Sequence, residues 1–60
     1  MTVNEIITKI QENRNKKFYL QMKDYWNSRD YDYGAELTAE YIALCQEYKN
    51  LTGEDYVDND

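Results

Sequence analysis

Histidine and proline are missing from this chain, cysteine occurs once and glycine twice. Each scarcity removes a class of explanation. A lone Cys45 forms no internal disulfide, and with no histidine beside it no ordinary zinc site remains. Catalysis loses its commonest general base, and no serine lies in a nucleophile-type setting, so the chain reads as non-enzymatic. Carboxylate pairs such as Glu36 and Glu40 would need a pocket to shift their pKa values, and so short a chain has little material for one. No cofactor is implied. The longest apolar run, Tyr41 to Cys45, is far short of the roughly 20 residues that span a bilayer. Near the N-terminus, Ile6 and Ile7 are flanked by Glu5 and Lys9 rather than set in a signal-like apolar block. The expectation is a cytoplasmic protein with a reduced thiol and no membrane contact.

What the chain does have is helical periodicity. Leu37, Tyr41, Leu44, Tyr48 and Leu51 recur at alternating spacings of four and three, which on a helix turning about 100° per residue makes one apolar stripe. A stripe this narrow needs a partner. Asp32 is the expected N-cap of this helix and Gly53 its left-handed C′ residue, with Lys49 in the last turn. Upstream, Thr2 to Glu5 fits a capping box and predicts a helix starting at Val3. Val3, Ile6, Ile7 and Ile10 form its apolar face. Six residues without an apolar side chain follow, from Glu12 to Lys17. On a continuous helix Phe18, Met22 and Tyr25 return to within about 60° of Ile7. One long helix from Val3 to about Asn27 is therefore preferred, at the cost of placing Arg14 on the buried side. A break near Asn13, giving two shorter helices, is the alternative.

Residues 27–32 form the expected connection, of a length that suits an antiparallel helix pair. The fold class is thus all-α: a small helical hairpin of two long helices, or three with a break near Asn13, completed by dimerisation. Residues 1–53 make the single helical domain. Residues 54–60 form an acidic tail expected to be mostly disordered, with Tyr56 and Val57 as docking candidates. Dimerisation is expected because a chain of sixty residues buries only about 60% of the surface its unfolded form exposes. Disulfides and metals being absent, a second subunit or a partner protein is the remedy left. The stripe Leu37, Tyr41, Leu44, Tyr48 and Leu51 is the candidate self-association seam.

Charge is unevenly placed. Residues 1–29 carry six cations against three carboxylates, a net +3, whereas residues 30–60 carry nine carboxylates against Lys49 alone, a net −8. Either the halves attract each other or the acidic half faces a basic partner. Arg14, Lys16 and Lys17 beside Phe18 and Tyr19 form a basic and aromatic set, but the acidic half argues against direct nucleic-acid binding. Gly34 and Glu40 have the spacing of a calcium loop, yet the liganding positions fall on Arg29, Tyr31 and Tyr33, so no metal site follows. Trp26, Tyr25, Tyr31 and Tyr33 gather at the connection, with Trp26, Tyr31 and Tyr33 as interface candidates. Ile42 sits roughly 140° from Leu37 on an ideal helix and makes a second apolar patch with Ala35 and Thr38.

Two functions follow as expectations. The first is a small interaction or regulatory protein that engages itself and another protein. The second is an inhibitor that mimics nucleic acid, with Asp30, Asp32, Glu36, Glu40 and Glu47 standing where phosphates would lie and the acidic tail extending the row.

Overall fold

The computed structural model describes residues 1–57, and within them the chain is two helices, α1 over Val3–Gln21 and α2 over Ser28–Thr52, packed against each other. Among the described residues there is no strand. The all-α hairpin expected from periodicity is the fold, and α1 runs unbroken through Asn13 to Lys17. Both outer ends follow their local signals. The Thr2 hydroxyl oxygen accepts the Glu5 backbone N–H at 3.2 Å, while the Glu5 carboxylate accepts from the Thr2 hydroxyl rather than from the cap backbone. Gly53 takes φ 75° and its N–H donates to the Lys49 carbonyl at 2.7 Å. That left-handed turn is where glycine has no steric competitor.

The inner ends differ from expectation. α1 stops at Gln21, well before Asn27, and the connection is residues 22–27. Asp32 is not the N-cap of α2 but lies inside the helix. The cap is Asn27, whose side-chain oxygen accepts the Asp30 N–H at 2.9 Å while the Asp30 carboxylate accepts the Asn27 N–H at 3.1 Å. This reciprocal pair satisfies two donors at the start of α2. At the end of α1 the Trp26 indole N–H donates to the Leu20 carbonyl at 2.8 Å, supplying a partner for one of the carbonyls a helix end leaves open. Trp26 reaches it only if the chain has already left the helix.

Ile6 and Ile10 lie on the expected apolar face, but beyond them the buried line runs one residue away from the expected one. Ile6, Ile10, Asn13 and Leu20 are the buried residues of α1, with Lys17 half-buried between the last two. Their spacing alternates four and three, the pattern of a helix seam. Asn13 is therefore inside and Arg14 outside, the reverse of the expected arrangement. Phe18, Met22 and Tyr25, expected to rejoin the apolar face, are exposed. Leu20, in phase with Ile6 to within about 40°, is what continues the buried line. On α2 the corresponding line is Gly34, Leu37, Tyr41, Leu44 and Tyr48. Ile6, Ile10 and Leu44 form the main cluster, with Tyr41, Cys45, Tyr48 and Tyr56 packed on it.

Candidate functional site

The α2 stripe singled out by its periodicity is covered by α1 of the same chain. Leu37 and Leu44 are 2% and 6% exposed, Tyr41 and Tyr48 are half-buried, and only Leu51 stands open. Tyr56, downstream of Gly53, meets Tyr48 edge to face at a centroid distance of 5.4 Å. Part of the acidic tail thus packs on the hairpin, whereas Val57 is exposed. Asp58 and Asp60, the end of the expected acidic row, lie outside the described residues.

Midway along the pair, the Asn13 side-chain amide donates to the Leu37 backbone carbonyl at 2.9 Å. Its Oδ1 is buried without a hydrogen-bond partner among the described residues. One helical turn further, the Lys17 ammonium lies 5.5 Å from the centre of the Tyr41 ring. A cation over an aromatic face is attracted by the ring quadrupole, and Lys17 is half-buried at this point of the seam.

At the turn, Trp26 is half-buried and meets Tyr31 edge to face at 5.3 Å. A Cβ built on Gly34 would stand 3.5 Å from the Trp26 ring and 3.7 Å from Leu20, so the indole closes over the end of the seam. Tyr31 remains 64% exposed, and Tyr33 stands apart on another side of α2. The aromatic gathering read from sequence is therefore two parts. Trp26 with Tyr31 forms one contact, and Tyr25 and Tyr33 do not join it.

The acidic candidates also separate. Asp30 receives both available hydrogen bonds of a close ion pair, Lys23 Nζ lying 3.0 and 2.9 Å from its oxygens. Those bonds, followed by the Asn27 N–H, hold its carboxyl below the ordinary value, and the same pairing raises Lys23. Asp32, Glu36 and Glu40 are exposed and Glu47 is half-buried. By helical phase, Glu36, Glu40 and Glu47 share one side of α2, and about 180° round the helix lies a stripe without carboxylates. Among the described residues no group of three or more histidine, cysteine or acidic side chains converges to hold a metal ion, and no helix is long and apolar enough to cross a membrane.

That carboxylate-free stripe is Tyr31, Ala35, Thr38, Ile42 and Cys45, again spaced four and three. It centres roughly 100° from the buried line of α2. Lys17, Leu20 and Gln21 of α1 line a shallow groove together with Trp26, Tyr31, Gly34, Ala35 and Thr38. Lys17 and Gln21 also border a hollow with Arg14 and Phe18. The stripe and Phe18 thus lie on the same broad side of the hairpin. Ala35, Thr38 and Ile42, expected as a second patch from helical phase, are exposed, and so is Phe18, expected on the apolar face of α1.

No protein-family model matches this chain, and neither a curated protein nor a solved structure is significantly similar to it.

Proposed function

We propose that this chain is a small, non-enzymatic protein–protein interaction or regulatory protein that works as a self-associating helical hairpin in the cytoplasm. The observation that carries this reading is the balance of apolar side chains. The buried apolar core of the described chain is Ile6, Ile10, Leu20, Leu37 and Leu44, whereas Phe18, Tyr31, Ile42 and Leu51 are each at least 53% exposed. Single exposed apolar residues are normal, but so large an exposed share beside so small a core supports a contact role. A chain this size also gains from a second subunit, because its own core is small. Light-scattering mass with circular dichroism, taken over a concentration series at low and high salt, tests it. A helical dimer that persists in high salt is expected, since apolar contacts respond little to screening.

The second reading is the nucleic-acid-mimicking inhibitor. It is favoured by Glu36 and Glu40 standing exposed on one side of α2, and weakened by the engagement of Asp30 with Lys23. A basic partner held this way would bind less as salt rises, and Glu36→Gln with Glu40→Gln would lower its affinity.

A further inference from the structure

We infer that two copies of this chain exchange α1: the connection 22–27 straightens into helix, and α1 of each copy lies on α2 of the other, antiparallel about a two-fold axis at the connection. This rests on the self-association reading above and names its surface, which is the seam the hairpin already uses. The contacts between α1 and α2 are kept, and only the chain that supplies them changes.

Three observations carry it. The first is a repeat that crosses the connection. Ile6, Asn13, Leu20, Asn27, Gly34, Tyr41 and Tyr48 follow one another at intervals of seven without a slip, and all but Asn27 are buried or half-buried. Two helices joined by a loop need no common register, because the loop resets it. One helix running from α1 into α2 does need it, since a strict seven-residue repeat keeps a single seam facing its partner. The second is the connection itself. Met22 to Asn27 include neither glycine nor proline, so no residue there breaks a helix. What holds them out of helix is local: the Trp26 bond to the Leu20 carbonyl and the reciprocal Asn27 and Asp30 cap. Straightening gives these up and restores helical backbone bonds through the connection. The third is charge about the axis, whose position the hairpin's own contacts set. Lys23 with Asp30, Leu20 beside Gly34 and Asn13 with Leu37 are all centred between residues 25 and 27. About that centre Lys23 meets Asp30 of the second copy, and Asp24 comes opposite Arg29 of the second copy. Unlike charges therefore face each other on both sides of the axis.

The Lys23 and Asp30 pair separates exchange from any other dimer. A carbodiimide joins an ammonium and a carboxylate in contact as an amide, taking up the water lost and leaving as a urea. Lys23 Nζ lies 2.9 Å from Asp30 Oδ2, within one chain in the hairpin and between chains after exchange. Isotope-labelled and unlabelled chains are refolded together from urea at high concentration, cross-linked, and digested for mass spectrometry. The expected result is about twice the 7.3 kDa mass in light scattering, with Lys23–Asp30 amides that join labelled to unlabelled chains. Tyr25 lies outside both helices, so Tyr25→Pro leaves each intact and blocks helix across the connection; it is expected at the monomer mass with unchanged helical circular dichroism. A wild-type dimer whose Lys23–Asp30 amides stay within single chains overturns the exchange and leaves self-association standing, whether or not Tyr25→Pro folds. A wild-type chain that stays monomeric at every concentration overturns both.

Discussion

Asn13 and Leu37 are tied across the helix pair by a hydrogen bond from a side-chain amide to a backbone carbonyl, at the point where every other buried contact is apolar. The bond fixes which turn of α1 faces which turn of α2. It also leaves Asn13 Oδ1 buried without a partner among the described residues, and an unsatisfied buried acceptor is costly. A single polar residue at such a position is a known device for setting register at the expense of stability.

Asn13→Leu removes the orphaned oxygen and keeps the branch at Cγ, with a larger side chain at a fully buried position. Urea unfolding should show a gain of about 1 kcal/mol. A loss of stability would mean that the bond to Leu37 outweighs the unsatisfied atom.

Leu44 sits in the main cluster with Ile6 and Ile10. Leu44→Ala should cost about 2–4 kcal/mol through lost burial and the cavity left behind. In a chain with so small a core, that should melt most of the helical circular dichroism at room temperature. Unchanged helicity would show that the helices do not depend on their mutual contact.

Gly34 lies inside α2, where glycine costs about 1 kcal/mol relative to alanine. A Cβ there would meet Trp26 at 3.5 Å and Leu20 at 3.7 Å, ordinary contact distances. Gly34→Ala is therefore expected to raise the melting temperature, with a gain of about 0.5–1 kcal/mol. Gly34→Val, with two further carbons beside the indole, should lower it.

Asp30 has a depressed pKa and Lys23 a raised one, each chiefly through their shared hydrogen bonds. The Asp30 contribution to stability is present above its unfolded value of about 3.9 and is lost as pH falls through the lower folded value. The Lys23 contribution is present below about 10.4 and is lost as pH rises through its higher folded value. The urea midpoint of Asp30→Asn should therefore fall below that of the wild type at pH 7 and approach it at pH 3. Equal differences at the two pH values would remove the ion pair from the account.

The outer caps and the α2 stripe were legible because each is a local pattern. Thr2, Gly53 and the run from Leu37 to Tyr48 carry their signals within a few residues of themselves. The inner cap was missed because Asp30 and Asp32 are both reasonable first-turn residues, and the choice falls to Asn27 once Trp26 folds back on Leu20. That contact joins residues on either side of the turn, so no periodicity announces it. The exchange of Asn13 for Arg14 has a similar cause. Ile6 and Ile7 are equally apolar, and which of them centres the buried line is decided by Leu20 and by the facing helix. Phe18 then falls on the outer side of α1.

The bond from the Trp26 indole to the Leu20 carbonyl has a practical consequence. Trp26 is the chain's one tryptophan, and it sits half-buried where the two helices are joined. Its fluorescence therefore reports from the closed end of the hairpin alone. If the helices part first at the end where Ile6 meets Leu44, the emission will lag the loss of helical signal. Coincident curves would mean the hairpin opens as one unit.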